Sequence, residues 1–356
     1  MKRFITCILM VLTLLLSSVV GLVPMAFAEG EDVSGGATFY FLDVNSLDRN
    51  VGGSGSAPIG SADCILIVDH DEATDKDVVT LVDTGTEYAN SNKKVVDYIS
   101  NLGITKIDHL FLTHPHNDHY GGVPAVVAAF DIVNAYYTSP NDWGDVRPCE
   151  VEWLTKYYYD IALMSILQKV NSDGSAINVI SPDKEGTVYQ VTSDSYFTVY
   201  NCVAVVKNSF REPEFNDFSM MMKYTHKNVD ALFTGDVNIH YEYTLLGEVM
   251  PDGTRVAAGT EGAIDPVGDI EIFKLPHHGT QGSLSTENFF KKINPTKKKA
   301  CAVITGYVAN VGGSVRGRVK SYGYDLKITS GTNGSSDVII HTDGETTTWL
   351  DSVKFE

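Results

Sequence analysis

The sequence predicts a layered α/β fold, and three observations carry that prediction. Short apolar runs of strand length alternate with stretches of helical spacing along most of the chain. The residues able to do chemistry fall just past the ends of several of those runs. No internal repeat, Pro-rich segment or charge-run linker divides the chain. Its 356 residues are 43% hydrophobic and 20% charged, enough to bury a substantial core.

In chain order, residues 38–44 (TFYFLDV), 64–68 (CILIV) and 78–82 (VVTLV) read as strands. The Gly- and Ser-rich stretch 45–61 between the first two reads as a surface loop. Residues 93–102 (KKVVDYISNL) have helical apolar spacing and stop at Gly103, a suitable helix end. The next strand is 107–113 (IDHLFLT), and helices follow at 123–130 and 150–170. Strands are then expected at 177–180, 196–206, 219–225, 231–234, 269–275, 300–305 and 338–342.

Residues 1–28 differ in character. Lys2 and Arg3 precede an apolar run over 4–23, and Ala26-Phe27-Ala28 gives a small-residue exit. That is the layout of an export signal cleaved after Ala28; left uncleaved, the run would anchor the protein to a membrane. The expected mature part, 29–356, is one soluble domain outside the cytoplasm. With 27 Lys+Arg against 45 Asp+Glu, the net charge of −18 argues against capture of nucleic acid on a broad basic face. It leaves room for a nucleic-acid substrate at a locally positive metal site. Cys64, Cys149, Cys202 and Cys301 form no C-x-x-C pair, which disfavours a thiolate zinc site.

The densest chemistry lies in His114-Pro115-His116-Asn117-Asp118-His119, three imidazoles and a carboxylate at the mouth of a strand. On an extended backbone, residues i and i+2 face one side, so His114 and His116 can converge on one cation. Asp118 and His119, on the following turn, can reach a neighbouring ion. Nitrogen and carboxylate donors without thiolates suit zinc, and also manganese or iron. Thr234-Gly235-Asp236 and His277-His278-Gly279 also follow strands, where ligands gather in layered α/β folds, and they complete the donors for two metals. Asp83, in Val82-Asp83-Thr84-Gly85, is either a turn residue or a carboxylate that orients a ligand from behind.

With Thr113 before it and Gly121-Gly122 after it, the histidine run matches T-H-x-H-x-D-H, and the chain resembles the metallo-β-lactamase superfamily. Within it, the chain is most similar to ComEC-type hydrolase domains and to secreted phosphorylcholine esterases. Phe41-Leu42-Asp43-Val44 and then Ala62-Asp63-Cys64-Ile65 look like the subgroup's opening motif, interrupted by the loop. Asn216-Asp217-Phe218-Ser219 and Pro276-His277-His278-Gly279-Thr280, with Ser283 and Ser285, look like its later ones. The resemblance implies a four-layer αββα sandwich as one hydrolase domain over 29–356. It implies one metal on His114, His116 and Asp236, and a second on Asp118, His119, His278 and the same bridging Asp236. It further implies catalytic roles for Asp83, Asp118 and His277, the last as a substrate or leaving-group contact. Asn216, Ser219, Thr280 and Ser283 are implied as substrate contacts. Many members add a further histidine to the first metal; this chain has Asn216-Asp217-Phe218-Ser219 at that stretch.

Paired cations lower the pKa of a bridging water and clamp the oxygens of an in-line displacement. There is no G-x-S-x-G elbow to suggest a protein nucleophile. The expected activity is therefore metal-dependent hydrolysis on a phosphodiester, with two zinc ions as the resemblance implies. The substrate class is a small-molecule or polymer ester, such as a cell-wall phosphodiester or extracellular nucleic acid, and no stable protein partner is expected. The alternatives are a non-catalytic binding member of the same fold, or a lactonase or β-lactam-type hydrolase; the absent histidine disfavours the β-lactam activity. Aromatic clusters at Tyr136-Tyr137, Trp143, Trp153 and Tyr157-Tyr158-Tyr159 could cage a choline, although tyrosine-rich faces more often pack a core. Lys297-Lys298-Lys299 reads as a solvated loop.

Overall fold

The computed structural model describes residues 35–44, 61–138, 150–200, 215–237, 267–280, 286–307, 311–331, 334–335 and 337–351. The expectations for the 1–28 leader, residues 45–60, Trp143, Cys149, Cys202, strand residues 201–206 and Ser283 lie outside them.

The first half contributes strands β1 (Gly36–Phe41), β2 (Ile65–Asp71), β3 (Lys76–Val82), β4 (Lys106–Leu112), β5 (Asp131–Tyr137) and β6 (Asn178–Ile180). The second contributes β7 (Thr187–Gln190), β8 (Ser195–Tyr200), β9 (Met221–His226), β10 (Val229–Phe233), β11 (Ile272–Lys274), β12 (Ala300–Tyr307), β13 (Tyr324–Gly331), β14 (Gly334–Ser335), β15 (Val338–Thr342) and β16 (Thr347–Leu350). They form two eight-stranded sheets, ordered β16-β15-β1-β2-β3-β4-β5-β6 and β14-β13-β12-β11-β10-β9-β8-β7. Each sheet joins an antiparallel part to a parallel one: β3, β4, β5 and β6 run parallel in the first, and β10, β11, β12 and β13 in the second.

Parallel neighbours need a crossover, and helices supply most of them. Helix α1 (Ala89–Asn101) links β3 to β4; α2 (Asn117–Tyr120) and α3 (Val123–Ala129) link β4 to β5; α4 (Glu150–Gln168) links β5 to β6. In the second sheet, α5 (Glu287–Ile293) and α6 (Gly313–Ser321) serve the same purpose.

Alternation along the strands sorts the core into three layers. Phe39, Phe41, Ile65, Ile67 and Phe111 of the first sheet meet Phe197, Met222, Tyr224, Phe233 and Val303 of the second. The opposite face of the first sheet, with Tyr40, Leu66 and Leu110, packs on Val95 and Ile99 of α1, Val126 of α3 and Ile166 of α4. The opposite face of the second, with Leu232 and Phe273, packs on Phe289, Phe290 and Val319. With both faces covered, several strands carry short apolar runs, such as 65–68 (ILIV) and 110–112 (LFL). The result is helices, sheet, sheet, helices, consistent with the αββα sandwich of the metallo-β-lactamase type.

Several elements lacked a sequence signal. β5 (DIVNAYY) mixes polar and apolar residues, and its ends are partly exposed. α5 is only seven residues long, although Thr286 caps it by accepting the Phe289 N–H at 3.2 Å. α6 (GSVRGRVKS) contains two glycines, which lower helix propensity. Among the described aromatic side chains, Tyr136 is buried and stacks on Phe111 at 4.2 Å, and Tyr159 is buried against Tyr120, whereas Tyr157 and Tyr158 are exposed. Lys297, Lys298 and Lys299 are exposed at the start of β12, as a solvated loop would be.

Candidate metal centre

The parallel strands of both sheets end on one edge of the sandwich, and the polar residues follow those ends. Asp83 follows β3, the 113–119 run follows β4, Asp236 follows β10, and His277 and His278 follow β11. Glycines permit the crowding: a Cβ on Gly122 would lie 2.2 Å from the Thr84 carbonyl oxygen. Gly235 has a φ of 50°, with Ser219 Cβ 2.8 Å from where its own Cβ would be.

Asp83 is buried behind the histidine run, with a φ of 57° that only a well-held non-glycine residue keeps. Its Oδ1 accepts the Thr113 N–H at 2.8 Å, and its Oδ2 accepts the Thr113 hydroxyl and faces His119 Nδ1, both at 2.7 Å. Asp83 thus takes the orienting position, with His119 Nε2 left pointing into the site. His278 is held in a comparable way, its Nδ1 donating to the Thr305 carbonyl at 2.7 Å. His277, His278 and Gly279 all adopt left-handed φ values, a tight turn that turns His278 inward.

Asp118, His119, Asp236 and His278 offer ligand atoms within 4.8 Å of one another. His119 Nε2 is 3.3 Å from Asp236 Oδ1, and His278 Nε2 is 3.3 Å from Asp236 Oδ2 and 3.4 Å from Asp118 Oδ2. His119 Nε2, His278 Nε2 and Asp236 Oδ1 are all buried without a well-formed hydrogen bond. Buried polar atoms are normally satisfied, and orphans converging on one point fit a cation. The donor set of imidazole and carboxylate suits zinc, manganese or iron. Beside this quartet, His114 Nε2 and His116 Nδ1 face each other at 3.1 Å. These two lie outside the quartet, although the His114 and His119 ring centres are only 4.1 Å apart.

Charge reinforces the geometry. Burial works against a charged His119, but Asp236, Asp83 and Asp63 outweigh it and hold its pKa well above the usual histidine range. His278 is raised likewise, against burial, chiefly by Asp236 and Asp63. Burial pushes His114 well below that range. Burial also opposes ionisation of Asp236, yet His278 and His119 bring its pKa well below the ordinary carboxylate value.

The remaining expected residues have distinct positions. His277 is half-buried, its Nε2 4.0 Å from Asp236 Oδ2. Ser219, expected to contact substrate, is fully buried, and its hydroxyl accepts the Asp236 N–H at 2.9 Å. Asn216 is buried in the same turn, its carbonyl accepting the Ser219 N–H at 3.1 Å. Thr280 is partly exposed after the His277-His278 turn. Two residues carried no assigned role in the sequence reading: Asp63, just before β2, and Lys274, at the end of β11. Both are buried, and together they make an ion pair beside the quartet. The available signal was a lysine inside an otherwise apolar strand, three residues before His277.

A family model described as Metallo-beta-lactamase superfamily matches residues 57–145, the stretch carrying Asp63, Asp83 and the whole 114–119 run. The match spans about a quarter of the chain, and with the two-sheet sandwich it likens the chain to that superfamily. Among solved structures, the chain is similar to a diphosphatase from the PhnP family, at 11% identity and a TM-score of 0.41, covering 88% of this chain and 98% of that one. It is also similar to the Rm3 metallo-β-lactamase, at 12% identity and a TM-score of 0.36, covering 70% and 78%. A third is the MIM-2 metallo-β-lactamase, at 17% identity and a TM-score of 0.35, covering 69% and 89%. No curated protein sequence matches the chain.

Proposed function

We propose that the protein is an exported, metal-dependent hydrolase acting on a phosphodiester. One observation carries the reading: His119 Nε2, His278 Nε2 and Asp236 Oδ1, from three separate strand ends, are buried together without hydrogen bonds beside Asp118. Asp118, His119, Asp236 and His278 would hold one divalent ion, and His114 and His116 would contribute to a second. When bound, such ions activate water and stabilise charge on the oxygens of a phosphoryl displacement.

The chain's own residues prepare the site. Asp83 and the Thr305 carbonyl engage the Nδ1 atoms of His119 and His278, leaving both Nε2 atoms free for a cation. Half-buried His277 lies beside Asp236, within reach of a leaving group. The phosphodiester preference rests on the resemblance of the 216–219 and 276–285 motifs to those of ComEC-type domains and phosphorylcholine esterases. Export rests on the 1–28 leader.

The test is hydrolysis of bis-p-nitrophenyl phosphate alongside DNA, choline-substituted polymers, lactones and nitrocefin, with metal content measured on the same samples. Turnover of the phosphodiester that is lost on chelation and in His116→Ala supports the reading. A metal-loaded protein that turns over none of these esters would fit the binding-only alternative, which the missing histidine on the His114 side favours.

A further inference from the structure

Lys274 is 1% exposed, at the inner end of a strand otherwise built of apolar residues. Burying an ammonium is costly unless it is paired and hydrogen-bonded, so its partners are informative. Nζ donates to the Gly235 carbonyl at 3.0 Å, forms an ion pair with Asp63 Oδ2, and lies 3.6 Å from Asp236 Oδ1. The Lys274 backbone carbonyl accepts the Thr234 hydroxyl at 3.0 Å. A single residue thereby grips the Thr234-Gly235-Asp236 turn at two points.

Asp63 reaches the other ligands. Its Oδ1 accepts the Thr305 hydroxyl and lies 3.3 Å from His278 Nδ1; its Oδ2 lies 3.8 Å from His119 Nδ1. Its backbone N–H donates to the Asp118 carbonyl at 3.1 Å. Asp63 therefore adjoins three of the four quartet residues, and Lys274 adjoins the fourth.

We propose that Lys274 and Asp63 are positioning residues of the metal centre, one fixed ion pair bracing all four ligands from behind. Lys274 holds the Asp236 turn, and Asp63 braces His119, His278 and the Asp118 backbone. The inference rests on the metal-centre reading above. The opposite role is physically conceivable, because an ammonium near a ligand carboxylate repels an incoming cation. The contacts favour positioning: Nζ is closer to Asp63 and the Gly235 carbonyl than to Asp236 Oδ1.

The test uses the full chain as wild type, Lys274→Met, Asp63→Asn and the double variant. Each is titrated with Co²⁺ while its visible absorption is followed, and with Zn²⁺ in competition with a chelator. Each single variant should bind metal about 10–100-fold more weakly, with an altered Co²⁺ spectrum. If the singles fail to fold, the double variant carries the test, because it removes both buried charges together; weakened binding and an altered spectrum are again expected. Wild-type or tighter affinity with an unchanged spectrum, in any folded variant, overturns the inference alone. A wild-type protein that binds neither metal overturns the metal-centre reading and this inference with it.

Discussion

His119 Nε2 and Asp236 Oδ1 stand 3.3 Å apart, although one residue follows β4 in the first sheet and the other follows β10 in the second. The candidate centre is therefore a junction between the two sheets, assembled only when both are packed. Metal binding should couple to the stability of the whole sandwich, because an ion that binds only the folded state stabilises it by mass action.

Replacing Asp83 with Asn tests the orienting carboxylate. The amide removes the charge behind His119 and weakens the acceptor that holds its Nδ1 side. Metal affinity should fall about 10–100-fold, read by competition with a chromogenic chelator. Affinity equal to wild type would show that His119 is oriented without Asp83.

Metal uptake should release protons. The carboxylates around His119 and His278 raise both pKa values above the histidine norm, so in the metal-free protein they keep their protons further up the pH scale than free histidines do. A metal needs the unprotonated nitrogen, so affinity should weaken as pH falls through the raised pKa values and level off above them. Calorimetry in buffers of different ionisation enthalpy measures the release directly. A pH-independent affinity with no proton release would contradict this.

A second polar contact joins the sheets away from the metal ligands. Asp69 of β2 is fully buried and accepts the Tyr224 hydroxyl of β9 at 2.6 Å, together with the Ser195 hydroxyl. Tyr224→Phe should cost about 1–3 kcal/mol of folding stability, by chemical denaturation, because it takes a donor from a buried carboxylate. Metal affinity measured on the same variant should not change.

The sequence made the layered fold readable because it depends on local pattern, whereas the ligand set came from the resemblance of short motifs to those of a known family. The apolar run of β4 passes straight into His114, and Asp236 and His278 follow apolar strands in the same manner. Asp63 and Lys274 were not readable, because their meaning lies in contacts across the fold: Asp63 meets Thr305, 242 residues away. A lone lysine in an apolar strand is a signal of something unusual, but its role is unreadable until the buried carboxylate opposite it is known. The bond between the Ser219 hydroxyl and the Asp236 N–H was not readable either, since a short motif does not reveal which way a hydroxyl faces.

The most direct test of the central claim is metal retention by the purified protein after exposure to Zn²⁺ and dialysis, with X-ray absorption to identify the ligand atoms. The account predicts tightly held metal in a purely nitrogen and oxygen environment, lost in Asp236→Ala. A protein that retains none, or an Asp236→Ala variant that retains as much as wild type, would contradict it.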